Sequence, residues 1–442
     1  MPIALTAYAL TLIVALTSLV LLYRAGMLSA VAMLLYLCVL LLIRPLTLFS
    51  GLDMPQPANA FDDVALDAAL ALLAALLWIG LFTLCALAMR AYLPRLGAAL
   101  LPRPVSTPDP ARLRLFAAGL ALLTGAITAG FVLQSGSPGA FIYKVKVARE
   151  MSGLFLFLHL AVLSLMLSLY GLLEEIRRAE TPARRRSAFL FYAPLLLIAM
   201  GTSFAWGNRG NIAYILIAGA LSWHVLIAPL RPIRVLIGAA ILFVALFAMG
   251  NLREARLEAL TGTPYSERSL TRSLSNSLHL AEFDALSLAI KDAGSRYELR
   301  EGADFRNGIL AMVPRQILPE RQIFNVGGWF RQVYEPGKVN GWPVTVIGDW
   351  FVNFGWIGVV LGAALSGAVA GLFDSAYSRV RSRTWDAVLA PALGILILKG
   401  GVGTGAPQQI VLTLIPLAIL SLALRLRGKT GRASARWRSG EV

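Results

Sequence analysis

The sequence predicts an all-α protein that crosses a membrane many times, with about eleven transmembrane helices and one large external loop. Of the 442 residues, 57% are hydrophobic and only 14% are charged, whereas soluble domains are about half apolar and a quarter charged. Apolar runs recur along the whole chain, and about 20 such residues suffice to cross about 30 Å of hydrocarbon. Arginines cluster in alternate connectors between these runs, as expected of a polytopic membrane protein.

The candidate spans are separated by connectors that carry charge or contain Pro and Gly. In chain order they are Ile3–Tyr23, Ser29–Phe49, Leu66–Met89, Leu115–Leu133, Gly153–Leu173, Ala188–Trp206, Ile212–Leu230, Val235–Met249, Val346–Phe373, Ala387–Gly401 and Ile410–Leu424. The first is not expected to be a cleaved signal peptide, because Met1 to Ala7 contain no positive side chain.

Arginine placement predicts the orientation of the spans. Arginines gather in the connectors around residues 90–114, 177–186 and 379–383 and in the tail from 425 to 438. The positive-inside rule places these segments and the C-terminus in the cytoplasm, and the uncharged N-terminus outside. We therefore interpret most of the net charge of +16 as a topology signal that attracts anionic lipids, not nucleic acid.

The residue types exclude several kinds of site. Cys38 and Cys85 lie within apolar runs, so they predict neither a disulfide scaffold nor a zinc site. The His and acidic spacings match no metal motif, and the chain has no nucleotide-binding fingerprint. We accordingly expect no metal and no cofactor.

One connector is far longer than the rest. It runs from Asn251 to Thr345, on the external side by the same count. The predicted divisions are therefore transmembrane helices in 1–250, the loop in 251–345, further helices in 346–426 and a basic tail in 427–442. Helical spacing of apolar residues over Ser269 to Leu288 predicts short amphipathic helices lying over the membrane face.

Several external arginines are candidates for anion binding. Arg209 lies in the turn Trp206 to Asn211 between two spans, where the alternative is a tight turn whose arginine reaches lipid phosphate. Arg315 lies between Pro314 and Pro319, which restrict its backbone. Arg44, beside Pro45 near the outer end of the second span, is a weaker candidate. Further candidates in the loop are Arg253, Arg256, Arg306 and Arg331.

Acids and one histidine are candidate proton acceptors. A helix would place His279 and Glu282 on one face, although a solvated charged face explains them equally well. Asp349 and Asn353 are four residues apart at the entry to the ninth span, where Asp349 alternatively only stabilises a helix N-terminus. Asp62 and Asp63 suggest a metal or base site less strongly than a structural role.

Three segments resemble the Wzy-type oligosaccharide repeat-unit polymerases, which build O-antigen or exopolysaccharide. They are Asn208-Arg209-Gly210, Val313-Pro314-Arg315 with Pro319, and Ile347 to Gly358, the last being the most telling. The resemblance covers mainly the second half of the chain. It implies a GT-C-like glycosyltransferase architecture in the bacterial inner membrane, with the N-terminus periplasmic and the C-terminus cytoplasmic.

The resemblance also implies a reaction. A hydroxyl of one undecaprenyl-diphosphate-linked oligosaccharide attacks the anomeric carbon of another, and undecaprenyl diphosphate leaves. Arg209, Arg315, Arg253, Arg256, Arg306 or Arg331 would stabilise the leaving diphosphate, and Asn353 is a further candidate for substrate binding. Glu282, Asp349 or His279 would accept the proton. A chain-length regulator and a flippase are the implied protein partners.

Other functions stay open at this stage. An O-antigen ligase uses the same donor, and the segment Gly348 to Gly358 favours the polymerase. A polyprenyl-phosphate-sugar glycosyltransferase would use Asp62 and Asp63 with a metal. A lipid-linked glycan flippase or other transporter predicts matching broken spans in two halves of the chain. The large asymmetric loop disfavours that last class.

Overall fold

The structure of the protein is a computed structural model. The described residues are 1–55, 57–93, 108–146, 155–206, 209–231, 233, 237–238, 281–310, 313, 317–318, 326–336, 341–378, 384–385, 388, 392 and 401–425. Within these ranges the regular elements are α-helices and one 3-10 turn, Ala58–Ala60. The prediction of an all-helical fold is thus confirmed for the described residues.

The described helices are numbered in chain order. They are α1 (Pro2–Arg24), α2 (Leu28–Phe49), α3 (Val64–Tyr92), α4 (Pro110–Gln134), α5 (Pro138–Lys146), α6 (Phe155–Arg178), α7 (Pro182–Ala205), α8 (Arg209–Leu226), α9 (Ala281–Lys291), α10 (Ala303–Leu310), α11 (Val326–Tyr334), α12 (Thr345–Ser378) and α13 (Ala406–Arg425).

Eight of the described helices are long and apolar enough to cross a membrane: α1 to α4, α6, α7, α12 and α13. Each coincides with a predicted span, which is consistent with a polytopic membrane protein. The apolar part of α8, Ile215–Leu226, is shorter than the predicted seventh span. The predicted spans Val235–Met249 and Ala387–Gly401 lie almost entirely outside the described residues.

The chain folds into two compact units, each assembled from separate stretches. The first comprises Met1–Leu100, Tyr265–Val380 and Ala390–Val411. The second comprises Leu101–Pro264, Arg381–Leu389 and Leu412–Val442. The first unit therefore contains α1 to α3 and α9 to α12, so that part of the predicted external loop folds with the first three helices.

In the first unit, α3 and α12 approach each other closely along small residues. A Cβ at Gly367 would lie 2.2 Å from the carbonyl oxygen of Phe82, and one at Gly371 would lie 2.5 Å from that of Ala86. Any larger side chain would force the backbones apart. Small residues at such crossings are typical of helix pairs in membranes, where close van der Waals packing drives association.

Polar contacts hold both ends of α2 in the first unit. At the N-terminal end, Asp374 of α12 accepts hydrogen bonds from the backbone N–H groups of Ser29 and Ala30, both 2.9 Å. At the opposite end, Arg44 pairs with Asp284 of α9. The helix rises about 22 Å between these two levels at 1.5 Å per residue. Ser29 and Arg44 thus lie near opposite ends of α2.

Helix α9 differs from the amphipathic surface helix predicted for this region. All ten residues from Ala281 to Ile290 are buried, and the helix contacts α2, α3 and α12. The buried position is possible because Arg44 neutralises Asp284 and because Trp342 and Phe330 cover the apolar side. The prediction of a helix lying over the membrane face is therefore wrong for α9, while residues 269–280 lie outside the described residues.

The second unit contains α4 to α8. The side chain of Arg114 binds Glu175 through two hydrogen bonds of 2.8 and 2.5 Å, and the hydroxyl of Tyr192 donates to the same carboxylate at 3.1 Å. Near the end of α7, the indole of Trp206 packs edge-on against Phe141 and donates to the hydroxyl of Thr128 at 2.9 Å. These contacts fix the end of α7, three residues before Arg209.

Candidate functional site

A break in α12 positions the candidate site. Gly355 has φ 62° and ψ −148°, a conformation that essentially only glycine adopts. In an unbroken helix the carbonyl of Val352 would accept from the N–H of residue 356. Here the carbonyl of Val352 instead accepts a 3.0 Å hydrogen bond from the N–H of Arg300. The break thereby attaches the segment before α10 to the transmembrane helix.

The break divides α12 into a short part before Gly355 and a longer part after it. Residues 356–378 extend over about 34 Å at 1.5 Å per residue. This part alone is long enough to cross about 30 Å of hydrocarbon. Asp349 and Asn353 lie in the short part.

Asp349 is held by the loop that precedes α13. Its Oδ2 accepts hydrogen bonds from the backbone N–H of Thr404 at 3.2 Å and from the Thr404 hydroxyl at 3.1 Å. A Cβ at Gly403 would lie only 2.7 Å from the same oxygen, so the loop closes tightly over it. Oδ1 makes no hydrogen bond to the described residues, and the side chain is partly exposed. One oxygen is therefore fixed and the other can accept a proton.

Asn353 connects Asp349 with α10. Its Nδ2 donates to the carbonyl of Asp349 at 2.8 Å and to Oδ2 of Asp304 at 3.1 Å, and its Oδ1 accepts from the N–H of Asp304 at 3.3 Å. Asn353 is almost fully buried. Asn353 was predicted as a substrate ligand, but in the structure it positions the first turn of α10.

Asp304 adds a carboxylate that sequence reasoning missed. Its Oδ2 accepts a 2.8 Å hydrogen bond from Nε of Arg300, while its buried Oδ1 makes no hydrogen bond within the described part of the chain. Glu282 is buried in the first turn of α9, a helix that contacts α12. Two of the predicted proton acceptors, Glu282 and Asp349, therefore lie on contacting helices. Among the described residues, no group of three or more His, Cys, Asp or Glu side chains forms a metal-binding arrangement.

Arg306 is a predicted cation on α10, two residues from both Asp304 and Gly308 and therefore on the opposite face of this helix from them. It is exposed on α10, and α10 packs directly on the loop that holds Asp349. A Cβ at Gly308 would lie 2.2 Å from the carbonyl oxygen of Thr404, so glycine is needed for this contact. The arrangement provides a solvent-accessible guanidinium on the same small helix that contacts the loop of the candidate base.

Arg331 lies in a different environment. It is buried on α11, pairs with Glu335 at 2.8 Å and stacks 5.3 Å above the ring centre of Trp342. Its Nε is buried without a hydrogen bond. As placed, Arg331 stabilises the packing of α11 instead of facing an open surface.

The remaining predicted ligands lie largely beyond the described part of the chain. His279, Arg253, Arg256 and Arg315 lie outside the described residues. Arg209 begins α8 in the second unit, but its side chain is also outside the description. The structure thus locates Glu282, Asp349, Asn353, Arg306 and Arg331, and it links Asp349 and Asn353 to α10.

Arg44 is fully engaged inside the first unit. Its guanidinium binds Asp284 with hydrogen bonds of 2.7 to 3.2 Å and also contacts Asp53 and the carbonyl of Met54. All these groups fix α9, and with it Glu282, against the outer end of α2. The guanidinium is therefore a structural cation rather than an open phosphate ligand.

Asp62 and Asp63 have structural partners. The side chain of Asp63 caps α3 by accepting from the N–H groups of Ala65 and Leu66 at 2.9 and 3.1 Å. Asp62 pairs with Lys291 at 2.6 Å. Burial alone would lower the pKa of Lys291, but the hydrogen bond to Asp62 and the charge of Asp292 raise it above its usual value. This geometry supports the structural interpretation of the two acids.

The loop around Thr404 has a glycine pattern in the sequence that could have indicated its role. Gly401, Gly403 and Gly405 alternate with larger residues immediately before Pro407, near the start of α13. Closely spaced glycines before a helix commonly let backbone approach a ligand or a side chain. Here the approached group is the carboxylate of Asp349.

Comparison of the chain with protein-family models, with curated proteins and with solved structures found no match.

Proposed function

We propose that the protein is a polymerase that joins undecaprenyl-diphosphate-linked oligosaccharide repeat units at the periplasmic face of a bacterial inner membrane. The proposal rests on the carboxylate of Asp349, in which Oδ2 is hydrogen-bonded and Oδ1 makes no hydrogen bond to the described residues. It lies in the part of α12 before the break at Gly355, with Oδ2 held by Thr404 and an exposed arginine on the adjoining α10. The resemblance of Ile347 to Gly358 to the polymerase family supports the same residue.

In the proposed reaction, a hydroxyl of the acceptor repeat unit attacks the anomeric carbon of the donor glycan. Oδ1 of Asp349 accepts the hydroxyl proton as the new glycosidic bond forms. The bond to undecaprenyl diphosphate breaks, and the electron pair leaves with the diphosphate. A diphosphate is already an activated leaving group, so the step requires no nucleotide.

Negative charge increases on the diphosphate as the bond breaks, and fixed cations stabilise it. Arg306 is the described residue suited to this role. Arg209, Arg315, Arg253 and Arg256 remain proposed ligands of the same diphosphate. Asn353 acts in this proposal by positioning α10 and Asp349, and Glu282 and His279 are the alternative proton acceptors. Arg331 takes no direct part.

The orientation belongs to the same proposal. Arg44, Asp284 and Asp349 lie at the end of the first unit assigned to the periplasm by the arginine distribution, and the C-terminus lies in the cytoplasm. A flippase would supply the lipid-linked substrate, and a chain-length regulator would act on the product. The structural contacts of Asp62 with Lys291 and of Asp63 with the N-terminus of α3 disfavour the metal-dependent alternative that uses these two acids.

The test is chain extension by purified protein from lipid-linked repeat units in proteoliposomes. Asp349→Asn preserves size and removes the proton acceptor, so we expect a rate loss of about 10²- to 10⁴-fold, with single repeat units left on lipid. Glu298→Gln is the matched control, because Glu298 is an exposed acid before α10. Normal polymer from Asp349→Asn would disprove the assignment of the base. Transfer to lipid A core instead of to a second repeat unit would identify the ligase alternative.

A further inference from the structure

Exposed apolar side chains gather where α10 meets the break in α12. Five large residues each have between 36% and 52% of their surface exposed, namely Leu299, Ile309, Leu310, Phe354 and Trp356. Large apolar residues clustered at this exposure are unusual on a surface in water. We refer to these five residues together with Arg306 as the α10 surface.

Direct contacts make most of the α10 surface continuous. A Cβ at Gly355 would lie 3.3 Å from Leu299, and a Cβ at Gly302 would lie 2.8 Å from the ring of Phe354. The ring of Phe305 stacks on Phe354 at 5.9 Å between centroids. Ile309 follows Phe305 by four residues and therefore lies beside it on the same face of α10.

The α10 surface continues into the outward face of the membrane-spanning part of α12. Ile357 directly follows Trp356 and is 71% exposed, and Leu361 one turn later is also exposed. Both residues belong to a candidate membrane span. Since lipid is what covers the face of a spanning helix, the same lipid would also meet residues attached to it at the break.

The polar members of the surface fit the boundary between hydrocarbon and headgroups. Trp side chains are enriched at this depth, and arginines there extend their guanidinium to lipid phosphate. Arg306 is exposed and precedes Leu310 by four residues, so the two share a face of α10. A charged residue and an apolar residue on one face suit an interface better than either water or hydrocarbon.

We infer that the α10 surface is inserted into the membrane leaflet at the outer ends of the spans, with a phospholipid bilayer as its partner and Arg306 at the depth of the lipid phosphates. With eight residues, α10 is about 12 Å long and too short to cross the bilayer. The inference rests on exposure and continuity and holds whether or not the protein is a polymerase. For a lipid-linked diphosphate, it places the entry to Asp349 within the leaflet.

The depth of α10 can be measured directly. Cys38 and Cys85 are replaced by Ala, and single cysteines are introduced by Ile309→Cys, Leu361→Cys or Ser295→Cys. Leu361 is a lipid-facing reference within the span, and Ser295 is an exposed reference after α9. Each variant is labelled with bimane and reconstituted into vesicles of phosphatidylethanolamine and phosphatidylglycerol. Quenching is compared between acyl-brominated lipid and aqueous iodide.

We expect the label at 309 to behave like the label at 361, with strong quenching by brominated lipid and at least threefold weaker iodide quenching than at 295. Iodide quenching at 309 equal to that at 295 would overturn the inference. Protection of position 309 from both quenchers would also overturn it, because another protein chain would then cover the surface. Chain-extension activity is not read in this experiment, so its result is independent of the proposed reaction.

Discussion

The hydroxyl of Thr404 donates a 3.1 Å hydrogen bond to Oδ2 of Asp349, and the backbone N–H of Thr404 donates to the same oxygen at 3.2 Å. The two residues are 55 positions apart in the chain. Both donors favour the charged carboxylate and hold it in one orientation, which leaves Oδ1 as the proton acceptor of the proposed reaction.

Thr404→Val should slow chain extension. Valine has nearly the same shape but lacks the hydroxyl donor, so Oδ2 of Asp349 loses one of the two bonds that fix its orientation. The kcat of chain extension should then fall, and Thr404→Ser should restore it. An unchanged kcat in Thr404→Val would contradict a positioning role for this hydroxyl.

Arg306→Ala should reduce the rate of chain extension by about 10- to 100-fold without preventing membrane insertion, because a charged ligand of the leaving diphosphate is lost. Arg306→Lys should remain impaired, since an ammonium cannot bind two phosphate oxygens in the planar manner of a guanidinium. The matched control is Arg296→Ala, which removes another exposed arginine outside the site. Equal effects of Arg306→Ala and Arg296→Ala would exclude a specific role for Arg306.

Arg209→Ala and Arg315→Ala should each leave the protein inserted but abolish chain extension, so that single repeat units accumulate on lipid. The expected cause is again the loss of a cation from the leaving diphosphate. The products can be separated by size after extraction of the lipid-linked glycans. Wild-type polymer from either variant would remove that arginine from the proposed site.

Arg44→Gln should destabilise the first unit by about 3–5 kcal/mol, because it leaves the carboxylate of Asp284 buried without its charge partner. Asp284→Asn, combined with Arg44→Gln, should recover part of this loss, since a neutral pair can hydrogen-bond without an unpaired charge. Thermal unfolding in detergent measures both effects. A double variant no more stable than Arg44→Gln alone would contradict the buried ion pair as the cause.

Gly355→Ala should cost about 1–3 kcal/mol of stability, because the positive φ at this position is strained for a residue with a Cβ. It should also weaken the attachment of Arg300 to Val352, seen as faster hydrogen exchange of the Arg300 amide. Gly80→Ala in α3 is the control, since a Cβ there meets no atom within 4 Å. Unchanged exchange at Arg300 would show that the break does not hold this segment.

Lys291 should make the first unit sensitive to alkaline pH. Its pKa is raised above the ordinary value of 10.5 by Asp62 and Asp292, which outweigh the opposing effect of burial. The stabilisation is therefore fully present below about pH 10 and is lost as the pH rises through the folded-state value. Lys291→Met should reduce the dependence of the melting temperature on pH above 10, and an unchanged dependence would contradict this assignment.

Only part of the site was open to prediction from the sequence. Asp349 and Glu282 stood out as acids at a membrane entry and in an external loop. Asp304 and Thr404 did not stand out, because their importance comes from partners about 50 positions away. Arg44 was noticed for its unusual place near the outer end of a span. Its real partner, Asp284, is 240 positions distant, so no local pattern could indicate the pair.

The sequence by itself determined the approximate positions of the eight long apolar helices among the described residues, because about 20 consecutive apolar residues have few other stable arrangements than a membrane-spanning helix. The tertiary structure decided that α9 is buried and that the loop before α13 closes on Asp349. It also decided that α10 attaches to a break at Gly355. Hydropathy measures the preference of a residue for water or lipid. The burial of Asp284 depends instead on its ion pair with Arg44, and the orientation of Asp349 depends on its hydrogen bonds from Thr404.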